Sequence, residues 1–389
     1  MENKREIQDI FFQQLDDIRK ENYPKHVLKA AEDIANCRTN AMHGHLFQCP
    51  QKHFTAFLRN SCNNRFCPKC QTHHKLNWID NTKNMILNTG HHHIVMKLPS
   101  FCYPFFLKHY RNFVTILFQS AKLTIEKIIK YSGYSNNVPG IIFALHTYGE
   151  ENQMHPHLHV LITAGGLDRK KAIWNQFHNL FDIDSFSTIY TTIIRKKIMR
   201  QAKANPDFDT NFFLDLRQMQ KQDLFISQKY DNPEPVIKYL AKTFRGTSIQ
   251  NQHIVECSDG KVTFSMDGTH NTQLTDQEFV RRYLIHVLPK NQKSIRYAGL
   301  YSHASRKLLS QAKELLPEHT HQVSDHTDVN DEKINTLESL NIQIHKTCPV
   351  CKRKMIPIEK VLPFQVPAFI LWKFGKDPPI EELFTKRAA

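Results

Sequence analysis

The sequence has little glycine and no long apolar run, and each of these absences excludes a class of protein. Only 12 glycines occur in 389 residues, which argues against a low-complexity chain. The most apolar region, residues 101–118, is interrupted by polar and charged side chains, so it falls short of the roughly 18 apolar residues of a membrane-spanning helix. The first seven residues contain no apolar signal core. We therefore expect a cytoplasmic protein without a membrane partner.

Acidic residues are also in the minority. Lys and Arg number 52 against 37 Asp and Glu, which gives a formal net charge of +15 and an isoelectric point near 9.3. This excess favours a polyanionic partner, because basic side chains neutralise phosphates and release counterions. The nine cysteines, several in Cys-x-x-Cys pairs, suit a reducing compartment and metal binding better than a disulfide framework.

The length predicts two or three domains, and the texture of the chain divides it into three parts. Residues 1–85 combine helical spacing with a run of cysteine and histidine and should form a small helical zinc-binding module. Residues 86–303 contain apolar strands and form the main domain, with a mostly helical, basic insertion at about 168–230. Residues 304–389 form a linker and a carboxy-terminal tail.

Several elements can be predicted within these parts. Apolar residues recur at helical period over residues 105–131, which predicts a long helix. Residues 249–264 should form a hairpin that turns at Asp259-Gly260. Ala164-Gly165-Gly166 is expected to be a turn, and residues 319–331 are polar enough for a linker.

A cysteine cluster in the first part predicts a structural zinc site. Cys67-Pro68-Lys69-Cys70 is a zinc knuckle, preceded by Cys62 and, farther away, by Cys49. A structural zinc ion takes four ligands, mainly thiolates with some imidazole. The expected ligands are Cys49, Cys62, Cys67 and Cys70. His53 replaces Cys62 if that thiol is not a ligand, and Cys37 stands too far along the chain to belong to the set.

A histidine-rich strand predicts a second kind of metal site. Residues 154–162 have the apolar, β-branched character of a strand that carries His155, His157 and His159. Alternate residues of a strand point to the same face, about 7 Å apart, so the three imidazoles share one face. Leu158 and Val160 would face the core. The histidine face would then be open to a metal ion and a substrate, since imidazole is the commonest metal ligand.

A neighbouring strand should contribute to the same site. Residues 141–148 are apolar and precede a polar turn, which predicts an antiparallel hairpin with the histidine strand. If Thr147 pairs with Pro156, His146 lies opposite His157. The strand that begins at His91-His92-His93 could bring a further histidine to the centre, and a glutamate or a water molecule could equally complete it.

A third cysteine motif stands near the carboxyl end. Cys348-Pro349-Val350-Cys351 is a lone knuckle that supplies only half of a zinc site. Its other ligands must come from elsewhere, for example His303 or His345. The two remaining cysteines, Cys102 and Cys257, have no metal-binding spacing and are predicted to be packing residues.

Four ordered motifs resemble one known family. A strand that carries His-hydrophobic-His resembles the metal motif of the HUH single-strand endonucleases. The full set resembles the IS91-type transposases of rolling-circle insertion sequences, over roughly residues 35 to 303. The matching segments are Asn60–Gln71 (the zinc module), Leu145–Leu167 (the histidine hairpin), Val236–Lys242 (the tyrosine helix), and Glu278–Pro289 with Ile295–Leu300 (the closing block).

The resemblance implies a mechanism. Tyr239 would be the catalytic nucleophile, with Val236, Ile237 and Leu240 on the buried face of its helix. The basic residues expected to hold flanking phosphates are Lys238, Lys242 and Arg245. The histidines would bind Mg²⁺ or Mn²⁺. Many family members have a second tyrosine one turn after the first, whereas this chain has Thr243, so it resembles the single-tyrosine branch.

The resulting expectation is an α+β protein: a helical zinc module, then an HUH nuclease domain whose antiparallel sheet holds the histidines between flanking helices. It would transpose through single-stranded DNA by a 5′-phosphotyrosine intermediate, bind the single-stranded ends of its own element, and act in the bacterial cytoplasm at the nucleoid. A homo-oligomer is an option for its assembly. Two alternatives stay open. One is a plasmid relaxase or replication initiator with the same chemistry, and the other is a non-catalytic zinc protein that binds nucleic acid.

Overall fold

The computed structural model describes residues 6–178, 180, 182–231, 237, 248–266, 268–317 and 347–365. Over these ranges the chain combines α-helices with sheets whose paired strands are all antiparallel. The predicted α+β class is thereby confirmed. The predicted linker at residues 319–331 lies outside the described residues.

The described helices are, in chain order, α1 (Ile7–Lys20), α2 (Lys25–Asn36), α3 (Pro68–Met85), α4 (Tyr103–Phe106), α5 (Tyr110–Tyr131), α6 (Ile183–Lys203), α7 (Thr210–Gln218), α8 (Asp276–Leu284) and α9 (Arg306–Glu314). Three short 3-10 helices span Ser100–Cys102, Asn251–His253 and His303–Ser305.

The described strands are β1 (Gly44–Gln48), β2 (Thr55–Arg59), β3 (His91–Lys97), β4 (Asn137–Val138), β5 (Gly140–Tyr148), β6 (Met154–Thr163), β7 (Gly165–Asp168), β8 (Ile173–Gln176), β9 (Leu224–Ile226), β10 (Ile254–Ser258), β11 (Lys261–Phe264), β12 (Thr272–Thr275), β13 (Ile295–Gly299) and β14 (Ile356–Val361). They form four sheets, with the orders β14-β1-β2, β10-β11-β12, β13-β5-β6-β3-β9 and β4-β7-β8.

The chain forms two compact units that interleave in sequence. The first consists of Met1–Leu76, Ile249–Val287 and Gln322–Ala389, and the second of Asn77–Ser248 and Leu288–His321. This division differs from the three consecutive segments expected from texture. The reason lies in one apolar core of the first unit, where buried residues of α1 and α2 pack with residues of β11 and α8, among them Phe11 and Tyr283, whose ring centroids are 5.1 Å apart.

The five-stranded sheet is the centre of the second unit. One of its faces buries Leu158, Val160 and Ile162 of β6 in a large core shared with α5 and α6. Since side chains alternate along a strand, the opposite face of β6 carries its histidines, and Leu161 on that face belongs to a separate, smaller core. The expected direction of Leu158 and Val160 is therefore confirmed.

Most predicted elements match the structure, with three differences. The long helix begins at Tyr110, after the short α4 and a break at residues 107–109. Gly165 and Gly166 lie in β7 rather than in a turn, and a Cβ on Gly165 would come within 2.7 Å of the side chain of Trp174. The insertion at 168–230 contains α6 and α7, but it also supplies β9, an edge strand of the central sheet.

Candidate metal centres

Three histidines meet on the central sheet. His146 of β5 pairs directly with His157 of β6, as expected, although the pair of Thr147 with Pro156 on which that expectation rested falls in an irregular stretch of the register. His159 lies two residues farther along β6, on the same face. The possible ligand atoms of these three imidazoles all lie within 4.8 Å of one another. The structure thus brings together three of the four histidines expected at this site.

Hydrogen bonds orient two of the imidazoles. Nδ1 of His157 lies 2.6 Å from the backbone oxygen of His155 and can only donate to it. Nδ1 of His159 lies 2.7 Å from Nε2 of His93. Both contacts leave Nε2 as the coordinating atom, and the two Nε2 atoms are 3.1 Å apart. Two nitrogens each about 2.1 Å from one ion at a right angle would be about 3 Å apart, so the spacing suits metal binding.

Burial keeps these imidazoles uncharged. The exposed fractions are 5% for His146, 9% for His157 and 8% for His159. Burial lowers the pKa of His157 to about 4 and lowers the pKa of His146 and His159 well below the usual value. Near pH 7 all three rings are therefore neutral and offer lone pairs to a metal ion. The histidine face that was expected to be open is therefore buried at these three residues.

The fourth expected histidine, His155, lies outside this cluster. Its Nδ1 is 3.3 Å from the hydroxyl of Tyr103, and its ring is half-buried at the start of β6. A β-bulge between His146 and Tyr148 disturbs the pairing at this end of the hairpin, and bulges re-aim the side chains beside them. The alternation rule alone placed His155 on the shared face and did not account for this irregularity.

Two further residues, His93 and Phe225, lie beside the histidine cluster. His93 is the residue of the His91-His92-His93 strand that reaches the centre, and its ring lies edge to edge with that of His159, nearly parallel to it and at a centroid distance of 5.0 Å. Phe225 of β9 contacts the other side of His93 at 5.9 Å and is 53% exposed. Sequence reasoning missed Phe225, since β9 is only three residues long and its place in the sheet depends on a distant partner.

The expected nucleophile, Tyr239, lies outside the described residues. So do the other residues named on its helix and beside it: Val236, Lys238, Leu240, Lys242, Thr243 and Arg245. Ile237 is described and is only 1% exposed. It shares a buried core with Ile142 and Ala144 of β5 and Leu161 of β6. By strand alternation these three residues face the same side as His146 and His159, so Ile237 packs on the histidine face.

Four thiols form a second centre, in the first unit. The cluster consists of Cys37, Cys62, Cys67 and Cys70. Sγ of Cys70 lies 3.6 Å from Sγ of both Cys37 and Cys62. Sulfurs bound tetrahedrally to one zinc at about 2.3 Å would be about 3.8 Å apart, so the spacing and the donor set fit zinc. Contact with the Cys37 thiol also lowers the pKa of Cys70, which favours a thiolate.

The predicted membership of this cluster was wrong at two positions. Cys37, rejected as too distant, is a member, and Cys49 is not. Cys37 follows the last residue of α2, and the side chain of Gln8 on α1 donates to its backbone oxygen at 2.7 Å. The two packed helices thereby return Cys37 to the knuckle at the start of α3. The number of residues between cysteines does not show that helix packing brings Cys37 close to the knuckle.

A third cluster contains Cys49, His53, Cys348 and Cys351. His53 therefore belongs with Cys49, but not as a substitute for Cys62. The lone carboxy-terminal knuckle finds its partners here rather than at His303, whose Nε2 contacts Arg306 at 2.6 Å; the other suggested ligand, His345, lies outside the described residues. Cys102 and Cys257 belong to none of the clusters found in the described part of the chain.

No helix within the described ranges is long and apolar enough to cross a membrane.

Comparisons with known proteins agree with this arrangement. Two protein-family models match the chain: "Transposase zinc-binding domain" over residues 10–98 and "Putative transposase" over residues 140–308. The chain is 27% identical over 350 residues to a putative transposase, y4qJ, of Sinorhizobium fredii (strain NBRC 101917 / NGR234), which covers 84% of this chain and 87% of that protein. It is 26% identical over 268 residues to the transposase for insertion sequence element IS801 of Pseudomonas savastanoi pv. phaseolicola, with 64% and 63% covered. No solved structure is significantly similar.

Proposed function

Since the chain belongs to the IS91-type transposases with an amino-terminal zinc-binding domain, we propose that it cuts and rejoins single-stranded DNA at the ends of its own element. Membership of the family makes it a DNA-cleaving enzyme. The proposal adds three statements to this: that the DNA is single-stranded, which residue is the nucleophile, and which metal ion takes part. The observation that carries it is the convergence of three neutral imidazoles on one face of a sheet, with Ile237 packed on that same face.

The metal would be held by His146, His157 and His159. A divalent cation held by these residues would supply positive charge to offset the negative charge that develops on the scissile phosphate. The donor set consists of nitrogen atoms alone in the described residues. Mg²⁺ prefers oxygen ligands, whereas imidazole suits transition metals. Of the two ions expected from the sequence, we therefore favour Mn²⁺.

Tyr239 is the proposed nucleophile. It follows Ile237 by two positions in the sequence, and Ile237 is buried on the histidine face. The phenol oxygen forms a bond to phosphorus and the bond from phosphorus to the 3′ oxygen breaks. The phenol gives up its proton, and the departing 3′ oxygen takes one up. The products are a 5′-phosphotyrosine link and a 3′-hydroxyl. Lys238, Lys242 and Arg245 would hold the flanking phosphates.

The same step in reverse rejoins strands. A 3′-hydroxyl attacks the phosphotyrosine, which restores a phosphodiester and the free phenol. The covalent link conserves the energy of the broken bond, so the strand transfers need no nucleotide triphosphate. The presence of Thr243 where related chains have a second tyrosine favours a single covalent site.

The thiols of Cys37, Cys62, Cys67 and Cys70 would hold a structural zinc ion. Their donor type and spacing fit zinc, and the family match over residues 10–98 is to a zinc-binding domain. A zinc ion here stabilises the first unit, because it cross-links α2 to the start of α3.

The decisive experiment is a covalent-adduct assay. The full-length protein is incubated with a labelled single-stranded element end and Mn²⁺, and the products are separated on a denaturing gel. We expect a protein–DNA adduct that Tyr239→Phe eliminates and the matched control Thr243→Ala retains. Phenylalanine keeps the ring, so the loss would report the missing hydroxyl rather than altered packing.

Other outcomes are equally informative. An adduct that persists in Tyr239→Phe and maps to another tyrosine would move the nucleophile while keeping the class of nuclease. Cleavage without any tyrosine adduct would refute the phosphotyrosine mechanism. Equal activity on duplex DNA that has no exposed single strand would contradict the proposed substrate.

A further inference from the structure

The third cluster joins residues from distant parts of the chain. Cys49 and His53 follow β1, whereas Cys348 and Cys351 precede β14, and Cys49 and Cys351 are 302 positions apart. Their ligand atoms nevertheless lie within 4.8 Å of one another. We propose that these four residues form a second structural zinc site, separate from the four-cysteine site, which fastens the carboxy-terminal segment to the amino-terminal sheet.

The distances suit a metal ion rather than a covalent bond. Sγ of Cys49 lies 3.5 Å from Sγ of Cys351 and 3.9 Å from Nδ1 of His53. A disulfide would need a separation of about 2.05 Å. Two thiolates on a tetrahedral zinc are about 3.8 Å apart, and three cysteines with one histidine are a common ligand set of structural zinc.

The backbone at each pair of ligands is folded into a hydrogen-bonded turn. The N–H of Lys52 donates to the oxygen of Cys49, three positions before it, and the N–H of Lys352 donates to the oxygen of Cys348, four positions before it, both at 2.8 Å. Lys52 and Lys352 have nearly equal positive φ angles of 59° and 58°. In addition, the N–H of Gln51 donates to Sγ of Cys49 at 3.4 Å, a contact that stabilises a thiolate. Each turn thus folds the chain so that ligands on both sides of it point the same way.

The apolar core at this place is small. Within the described ranges, the buried neighbours of Cys49 and Cys348 in it are Ala56 and Met355, and the partly buried Phe47 and Phe54 pack against it. The strand that follows, β14, has mostly exposed side chains. Small structures of this kind usually need a metal or a disulfide, because their buried surface does not offset the entropy of ordering the chain.

The sequence shows why the two halves of this site need each other. Cys49-Pro50-Gln51-Lys52 has the first cysteine of a knuckle but a lysine where the second would stand. Cys348 and Cys351 lie outside the ranges of both family matches. They supply the thiolates that the first turn lacks. The inference does not depend on the nuclease mechanism.

Metal content tests the proposal directly. The full-length protein, purified in the presence of a reductant, should contain two zinc ions per chain by elemental analysis. The double variant Cys348→Ser with Cys351→Ser should contain one, and Cys257→Ser, which changes a cysteine outside the clusters, should keep two. Limited proteolysis should release the carboxy-terminal segment from the double variant and not from the control.

X-ray absorption of the unmodified protein provides a test that needs no variant. Two sites with the residues assigned here hold seven thiolates and one imidazole between them, so the zinc edge should show mainly sulfur with a minor nitrogen shell. One zinc with four sulfurs, or a Cys49–Cys351 disulfide found by mass spectrometry under native reducing conditions, would overturn the proposal. So would two zinc ions in a folded double variant.

Discussion

Nε2 of His93 lies 2.7 Å from Nδ1 of His159, and the two rings are nearly parallel, with an angle of 7° between their planes. One proton shared between these nitrogens fixes the orientation of His159 and leaves its Nε2 directed at His157. His93 is therefore a positioning residue for a proposed metal ligand. Such outer partners of ligating histidines commonly set metal affinity.

The first prediction concerns this pair. His93→Gln should weaken Mn²⁺ binding by about 10- to 100-fold, measured by calorimetry and as the Mn²⁺ concentration that gives half-maximal cleavage. Saturating Mn²⁺ should restore most of the cleavage. His92→Gln is the matched control, because Nδ1 of His92 contacts the backbone oxygen of Ser227, at 3.1 Å. Equal affinities of the two variants would contradict a positioning role.

A second prediction separates cleavage from DNA binding. His157→Ala or His159→Ala should reduce cleavage of a single-stranded element end by roughly 100-fold or more, since metal charge stabilisation is worth several kcal/mol. Affinity for the same strand should change little, because it depends mainly on phosphate contacts. Gel-shift and cleavage assays on one preparation check both statements. Undiminished cleavage by either variant would remove the metal assignment.

The ion itself is the subject of a third prediction. With an all-imidazole donor set, half-maximal cleavage should require a lower concentration of Mn²⁺ than of Mg²⁺. Replacing His146 by Asp should reduce the difference between the Mn²⁺ and Mg²⁺ concentrations that give half-maximal cleavage, because a carboxylate suits Mg²⁺ better than imidazole does. A titration of both ions against both proteins gives the comparison. A preference for Mg²⁺ in the unmodified protein would indicate ligands other than the three histidines.

The four-cysteine cluster yields a fourth prediction. Cys67→Ser with Cys70→Ser should release the zinc of that site and make the amino-terminal part of the chain sensitive to protease. Cys37→Ser should weaken zinc binding at the same site, whereas Cys257→Ser should not. A chelator-competition assay measures zinc release in each protein. If Cys37→Ser keeps the affinity of the unmodified protein, Cys37 is not a ligand.

A fifth prediction follows from a buried imidazole outside the proposed ligands. His91 is fully buried between the Tyr301 hydroxyl and the oxygen of Thr89, each at 2.8 Å, and burial lowers its pKa to about 4. The unfolded chain, with a histidine pKa near 6.5, binds the proton more readily. The neutral, buried His91 therefore makes its full contribution to the free energy of unfolding above pH 6.5, and this contribution is lost as the pH falls towards 4.

The contribution of His91 to the free energy of unfolding is at most roughly 3 kcal/mol. This value comes from a pKa difference of about 2.5 between the folded and unfolded chain, at 1.36 kcal/mol per pKa unit. Urea unfolding followed by tryptophan fluorescence at pH 7 and pH 4.5 measures it. His91→Gln should lose less unfolding free energy between these two pH values than the unmodified protein does. An equal loss would mean that His91 does not contribute to the acid sensitivity.

Local pattern predicted the histidine hairpin well and the cysteine sites poorly. The shared face of His157 and His159 follows from the period of two along a strand, which is local. The pairing of His146 with His157 also needs the bulge between His146 and Tyr148, which the length of the turn does not predict. The return of Cys37 depends on how α1 and α2 pack, and the meeting of Cys49 with Cys351 depends on a contact across most of the chain. Neither contact can be predicted from the number of residues between the cysteines. The assignment of Tyr239 came from family resemblance, and the buried Ile237 is the structural observation that supports it.

The pairing of β14 with β1 has a consequence for synthesis on the ribosome. β1 is the central strand of its sheet, with β2 on one side and β14 on the other, and β14 is made about 300 residues after it. At roughly 5 to 20 residues per second, one edge of β1 stays without its partner for about 15 to 60 s. An unpaired edge invites association with other chains. A chain whose synthesis stops before β14, at Ile356–Val361, would therefore keep this edge of β1 unpaired, and we expect it to aggregate more readily than a chain that includes β14.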